Sequence, residues 1–160
     1  MNRVIRNLLI VAVVILAVLS AVIIRAGRSV FIAIENGTEE VFYSAGVKYG
    51  YKPGSPDGRG SSTWISNETQ PGKRFHFGWG PSSQKKLGIK DGAFPIWIDV
   101  EPDNPETSPD NRSVQAGEVL VPVQRGKCCV IVVTGSKEEG YKASYSHVER
   151  AAVWMLIFTH

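Results

Sequence analysis

The longest apolar stretch of the chain runs from Leu8 to Ile24 and contains no charged residue. Arg3 and Arg6 precede it, and Arg25 and Arg28 follow it. As an α-helix this stretch would span about 25 Å, which fits a hydrocarbon core of ~30 Å if the flanking arginines extend to the lipid headgroups. The pattern predicts a single transmembrane helix with these four arginines as its membrane-flanking residues.

A cleaved signal peptide is the alternative interpretation of the same stretch. The apolar region of a signal peptide has about 7 to 15 residues and ends in a small-x-small cleavage site. Here the apolar run is longer and ends in Ile23-Ile24-Arg25, while the best cleavage candidate, Leu19-Ser20-Ala21, lies inside it. We therefore interpret residues 1–28 as a retained membrane anchor with basic flanks and residues 29–160 as the folded domain.

The orientation of this anchor follows from the short N-terminal head. Basic residues on the two sides of the helix are nearly balanced, so the positive-inside rule gives a weak signal. Arg3 and Arg6 make translocation of the head costly. We expect the N-terminus in the cytoplasm and the domain 29–160 on the extracytoplasmic side of a plasma membrane or bacterial inner membrane.

Beyond Ser29, apolar and polar residues alternate in short segments, which is typical of β-strands with one buried face. Three pairs of such segments flank short connections that contain glycine: Asn36-Gly37 and Asp91-Gly92 favour tight type I′ turns, and Arg125-Gly126 lies in the third connection. The sequence therefore predicts three hairpins. They pair Val30–Glu35 with Val41–Tyr49, Leu87–Lys90 with Phe94–Val100, and Val119–Val123 with Cys128–Val133.

The segment Cys128–Val133 is apolar on both faces, which is typical of a central strand covered above and below. Two packed layers follow from this pattern. We predict an all-β fold, a two-layer antiparallel β-sandwich of the immunoglobulin-like or transthyretin-like type with about seven to nine strands and one N-terminal transmembrane helix. The adjacent Cys128 and Cys129 would point to opposite faces, so we expect two small buried residues and no internal disulfide.

Two further segments are assigned, one from the alternation of its residues and one from its composition. The alternation of Phe75 and Phe77 after the turn signal Gln70-Pro71-Gly72 predicts a strand that contributes aromatic side chains to the core. Residues Gly50 to Ser62 are dense in Gly, Pro and Ser, which indicates a surface loop. Pro95 cannot donate to a strand ladder, which argues for an edge position at that point.

The C-terminal segment 146–160 allows two interpretations. Ser146-His147-Val148-Glu149 forms a capping box before an apolar run, which predicts a short helix. The run Val153–Thr159 also fits a buried last strand. In either form, this segment is too short to cross a bilayer, and we expect it to close the core.

The charge distribution argues against nucleic-acid binding. The formal net charge is +3, but four of the eighteen Lys and Arg residues lie within residues 1–28. All fifteen Asp and Glu residues follow that segment, so the domain carries a net charge of −1. Basic clusters interleaved with aromatic residues are missing as well.

An acidic, proline-rich segment follows the predicted strand Phe94–Val100. Counted from Asp99, the residues Asp99, Glu101, Asp103 and Asp110 occupy the first, third, fifth and twelfth places of a calcium loop. The sixth place is Asn104 instead of the glycine that the sharp turn requires, and several prolines interrupt the segment. We expect a solvated loop and retain the four carboxylates as calcium candidates.

Motifs for catalysis are missing. The histidines His76, His147 and His160 have no metal-ligand spacing, and Ser82-x-x-Lys85 lacks the companion elements of a Ser-Lys nucleophile. We therefore expect no enzyme and no cofactor. The preferred function is an interaction or structural module at the membrane surface, an accessory subunit that contacts the bilayer and another membrane or envelope protein. The alternative is a secreted or anchored β-sandwich that binds a small ligand or calcium.

Overall fold

The computed structural model describes residues 2–49, 61–87, 92–104, 113–152 and 155. Two helices and eight strands lie in this part of the chain. In chain order they are α1 (Arg3–Arg28), β1 (Val30–Asn36), β2 (Phe42–Tyr49), β3 (Ser61–Thr69), β4 (Arg74–Trp79), α2 (Pro81–Leu87), β5 (Gly92–Glu101), β6 (Val114–Val123), β7 (Lys127–Ser136) and β8 (Gly140–Arg150).

The strands form two four-stranded sheets that share one apolar core. Sheet A has the order β4-β1-β7-β8, and sheet B has the order β3-β2-β5-β6. Buried side chains from both sheets pack together between them, among them Phe42, Phe77, Ile98 and Ile131. The prediction of a mostly β protein with two layers and an N-terminal apolar helix is confirmed.

Strand alternation decides which side chains enter this core. On β5, Ile96, Ile98 and Val100 are buried in it, as the period of two requires. The intervening Trp97 and Asp99 belong to the outer face of sheet B. Phe75 and Phe77 of β4 are also buried in the core, so the prediction for the aromatic segment is confirmed.

Strand β7 lies between β1 and β8 and is covered on both sides. Its inward side chains Cys129 and Ile131 join the core between the sheets. Its outward side chains Cys128 and Val130 form a second buried cluster with Met155 and neighbouring residues. The prediction of a central, doubly covered strand is therefore confirmed, and both cysteines are free and buried.

The expectation of purely antiparallel sheets is wrong for sheet A. Strands β1 and β7 run parallel, with Phe31 aligned with Cys128. Strand β1 continues directly from α1 and enters the sheet between β4 and β7, so no tight turn joins it to either neighbour. Its direction is therefore not dictated by a hairpin.

Two of the three predicted hairpins are wrong because the chain changes sheets at the turn. Strands β1 and β2, on either side of Asn36-Gly37, belong to sheets A and B respectively. Strands β6 and β7, on either side of Arg125-Gly126, are likewise in different sheets. A type I′ turn needs positive φ at both central residues, and none of the described non-glycine residues has positive φ.

The hairpin predicted around Asp91-Gly92 is wrong in its pairing. Leu87 is the last residue of α2, and Ile96 pairs with Tyr49 and Val119 instead of with Leu87. Residues 88–91, which include Ile89 and the predicted turn residue Asp91, lie outside the described part of the chain. Pro95 is aligned with Leu120 of β6, and residue 50, which follows the Tyr49 that is aligned with Ile96, lies outside the described part, so the edge position of Pro95 stays a prediction.

The antiparallel pairing of β2 with β3 was not predicted, and neither were two further hairpins. Strands β5 and β6 pair antiparallel across the acidic segment, with Val100 aligned with Val114. Strands β7 and β8 pair through a tight connection, with Ser136 aligned with Gly140. The sequence pattern missed both because neither connection contains an Asn-Gly or Asp-Gly dipeptide.

The capping-box residues do not begin a helix. Ser146 to Glu149 lie in β8, where Val148 is aligned with Cys129. Met155 follows in a short 3₁₀ turn, and its buried side chain covers the outer face of sheet A. Residues 153–154 and 156–160 lie outside the described part, as do residues 50–60 of the predicted surface loop.

Candidate functional site

Helix α1 has 26 residues and is long and apolar enough to cross a membrane. None of its residues is buried against the domain. Within the described ranges it is the one helix with this property, and a signal sequence near the N-terminus would pass the same test of length and hydropathy. Arg25 and Arg28 lie in its last turn, where cations interact favourably with the helix dipole.

The helix passes into the sheet through a single residue. Helix α1 ends at Arg28, β1 begins at Val30, and Ser29 between them is fully buried. The Ser29 hydroxyl donates to the carbonyl of Arg25 at 2.8 Å, and its backbone N–H donates to the carbonyl of Ala26 at 3.2 Å. Its own carbonyl accepts from the N–H of Gly126 at 2.8 Å. The junction is therefore a hydrogen-bonded unit without a linker.

Helix α2 provides a second attachment at the same place. The buried Gln84 side chain donates through Nε2 to the carbonyl of Arg28 at 2.8 Å and to the carbonyl of Trp79 at 2.7 Å. It thereby satisfies one of the carbonyl groups that the end of a helix leaves without an intrahelical partner. The direction of α1 is thus tied to β4 as well as to β1.

Two grooves lined by described residues flank the base of α1. The larger has a volume of about 540 Å³ and the smaller about 480 Å³. Each has one wall from the helix and one from the domain, and the helix wall is apolar in the larger groove but includes two arginines in the smaller. The larger is lined by Ile23, Ala26, Gly27, Gly126, Arg150, Ala151 and Ala152, and the smaller by Ala21, Ile24, Arg25, Arg28, Gly80, Pro81, Ser82 and Ser83.

The calcium candidates that the structure describes, Asp99, Glu101 and Asp103, lie away from the base of α1, at the C-terminal end of β5 and just after it. Asp99 is almost fully buried, and its carboxylate forms an ion pair with Lys48 of β2. It is aligned with Gly46, over which the ring of Trp64 lies so closely that a Cβ on Gly46 would be 2.7 Å from it. Asp99 is therefore a structural ion-pair partner.

The other candidates have separate partners. The Glu101 carboxylate accepts a hydrogen bond from Ser44, and the Asp103 carboxylate binds the Lys137 ammonium at 2.7 and 2.8 Å. Asp110 lies outside the described residues. Because no group of three metal-ligating side chains is found among the residues that are described, the structure does not add support to a calcium site.

Lys48 and Asp99 give a test of this structural role. Replacing Lys48 with methionine leaves the buried carboxylate without its cation, so the free energy of unfolding should fall. We expect a loss of about 2 kcal/mol, which is less than for a fully buried ion pair because Lys48 is partly exposed. The double variant K48M/D99L should recover most of that loss. Urea unfolding of the three proteins measures both values, and a K48M variant as stable as the wild type would contradict the assignment.

The two thiols are poor nucleophiles in this fold. Burial raises the pKa of Cys128 to about 12, and the negative charge of Glu149 acts in the same direction. Burial also raises the pKa of Cys129 to about 11. Since the thiolate is the reactive form, both side chains act as small core residues.

The histidines in the described ranges are part of a charged network on the outer face of sheet A. Burial lowers the pKa of His76, and the positive charge of Arg74 adds to this effect. Arg74 itself binds Glu35 at 2.8 Å and Glu149 at 3.2 Å. The Nε2 of His147 lies 3.7 Å from the carboxylate of Glu149. Together, these charged contacts join strands β1, β4 and β8.

Sequence reasoning missed Ser29 and Gln84, because their partners come from distant segments and no local motif marks them. It did place Arg25 and Arg28 at the end of the apolar stretch, and their membrane-flanking role stays a prediction. No known protein family, curated protein or solved structure matches the chain. The functional assignment is therefore based on the geometry of the helix junction.

Proposed function

We propose that this chain is a single-pass membrane protein whose β domain acts as a non-catalytic interaction or structural module, an accessory subunit of an envelope complex. The observation that carries the proposal is the buried Ser29 junction, which joins an exposed apolar helix to β1 without a flexible linker. The domain, a β-sandwich of the immunoglobulin-like or transthyretin-like type in this proposal, is thus held close to the membrane surface.

A fixed position beside the bilayer favours weak contacts with neighbouring membrane proteins. Confinement to a thin layer raises the effective concentration of the domain toward any partner in the same membrane. The carboxylates Asp99, Glu101 and Asp103 are engaged in contacts within the fold, which supports a structural role for them. We place the N-terminus in the cytoplasm and the domain on the extracytoplasmic side.

Fractionation of the full chain tests the anchor. After an alkaline carbonate wash the protein should stay in the membrane fraction, and its mass should include residues 1–28. A matched variant with Val13→Arg and Leu16→Arg should be lost from that fraction, because charges at the bilayer centre are costly. Recovery of the wild-type protein from the soluble fraction with its N-terminal segment removed would refute the anchor.

Crosslinking and reporter fusions test the rest of the proposal. Leu120 on sheet B is 61% exposed, so a photo-crosslinking residue placed there can report on a partner. We expect an adduct with another membrane protein, and a weaker adduct from a matched probe at the exposed Glu139. A C-terminal reporter that is active in the cytoplasm alone would refute the orientation, and adducts with soluble proteins alone would refute the proposed partner.

A further inference from the structure

The two ends of the domain differ in their exposed charges, although lysines such as Lys73 and Lys142 also lie at the acidic end. Strand β1 starts at α1 and ends at Asn36, so the register of its neighbours defines a helix-proximal end and a distal end. Exposed acidic residues at the distal end include Glu39, Glu68 and Glu139. Exposed basic residues surround the helix-proximal end, and we name them the basic collar: Arg25, Arg28, Lys85, Arg125, Lys127 and Arg150.

Two collar residues face each other across neighbouring strands. Lys127 of β7 is directly aligned with Arg150 of β8, and both side chains are exposed. Like charges in directly opposite positions destabilise a sheet. An anion bound between the two side chains would convert this repulsion into attraction.

The larger groove beside α1 includes one of these two residues. Arg150 lines the domain wall of the groove, and Ile23 and Ala26 line its helix wall. The backbones of helix and domain are in close contact here, because a Cβ on Gly126 would be 3.3 Å from the Cα of Gly27. The groove therefore offers an apolar surface on one side and a cation on the other, which suits an amphiphilic molecule.

The depth of the groove in the membrane follows from the helix sequence. The uncharged stretch of α1 ends at Ile24, and Arg25 and Arg28 follow in its last turn. Basic residues in that position lie at the level of the lipid headgroups. Because Ser29 fixes the domain directly on the helix end, Lys127 and Arg150 lie at the same level.

We propose that the basic collar binds anionic phospholipid, with the headgroup phosphate between Lys127 and Arg150 and an acyl chain along Ile23 in the groove. This inference rests on the proposed membrane anchoring. Basic residues near an anionic membrane surface each contribute roughly a fivefold increase in affinity. The collar would then set the domain upright on the bilayer, with its acidic end directed away from it.

The test uses the full chain in nanodiscs of phosphatidylcholine with and without 30 mol% phosphatidylglycerol, and compares the melting temperatures of the domain. Phosphatidylglycerol should raise the melting temperature of the wild type by several degrees, and 0.5 M NaCl should abolish most of the rise, since salt screens exposed charges. The variant K127Q/R150Q should lose the rise. The matched distal variant K73Q/K142Q should keep it, since both of its lysines are exposed at the other end.

A second readout separates the site from a general surface charge. In pure phosphatidylcholine, K127Q/R150Q should be at least as stable as the wild type, because it removes a like-charge pair. No rise with phosphatidylglycerol, an equal rise in both double variants, or the same rise with 10 mM inorganic phosphate would overturn the lipid site. Failure of the chain to enter nanodiscs at all would instead overturn the proposed anchor.

Discussion

Replacing Asn36 with alanine is expected to lower the free energy of unfolding by about 3 kcal/mol, because it leaves several buried polar groups without partners. The Asn36 side chain is fully buried at the distal end of β1. Its Nδ2 donates to the carbonyls of Glu40 at 2.7 Å and Thr69 at 3.0 Å. Its Oδ1 accepts from the backbone N–H of Thr38 at 3.1 Å and from the Thr38 hydroxyl at 2.7 Å.

These bonds join the two sheets at the distal end of the domain. Asn36 belongs to sheet A, and Thr69 ends a strand of sheet B. The backbone of Asn36 adds two bonds to the turn between β3 and β4, one from the N–H of Gly72 at 2.7 Å and one to the carbonyl of Lys73 at 2.9 Å. The side chain therefore fixes two connections that cross between the sheets.

Urea unfolding of the full chain in detergent micelles, followed by tryptophan fluorescence, measures the loss. Asn36→Asp is an informative companion because it keeps both accepted bonds but places an oxygen against two carbonyls, so it should destabilise at least as much as alanine. Asn67→Ala is the control, and its exposed side chain should contribute less than about 0.5 kcal/mol. A similar, small effect at Asn36 and Asn67 would contradict this role.

The same residue explains why strand pairing could not be read from local sequence. An Asn-Gly dipeptide favours a type I′ hairpin, but asparagine also binds nearby backbone groups in other turns. Which of these forms is adopted depends on Thr69, 33 positions further along the chain. Local pattern therefore predicted the strand before Asn36 and failed to predict its partner.

Features that depend on one segment alone were predicted well. The apolar run that forms α1 and the doubly apolar segment that forms β7 each carry their signal within a short window. The arginines at the end of α1 were identified for the same reason. The position of these arginines follows from the apolar run directly before them, so it can be predicted without knowing how distant strands pair.

The parts of the candidate site that were missed depend on register between distant strands. Lys127 and Arg150 lie opposite each other because β7 and β8 pair, and the sequence pattern had not assigned β8 as the partner of β7. Asp99 was assigned to the predicted strand Phe94–Val100 and retained as a calcium candidate, yet the alignment of β5 with β2 places it beside Gly46, next to Lys48, where it is buried. The sequence therefore identified Asp99 as a charged residue but did not predict that its side chain is buried.

Replacing Gly135 with alanine is expected to destabilise the domain by about 3 kcal/mol, from backbone strain and a steric clash together. Gly135 lies near the end of β7 with a φ of +103°, a backbone conformation that residues with a side chain rarely adopt. A Cβ at this position would be 2.2 Å from the carbonyl oxygen of Gly140 on β8. The obstacle is backbone, so it cannot move away by a change of rotamer.

Gly140 provides the matched control within the same connection. It also has a positive φ, +87°, but a Cβ there would meet nothing within 4 Å. Gly140→Ala should therefore show the strain alone, about 1 kcal/mol. The difference between the two variants in urea unfolding measures the close approach of β7 to β8. Equal losses would mean that the strands do not approach as described, and the alignment of Lys127 with Arg150 at the other end of the same pair would then need revision.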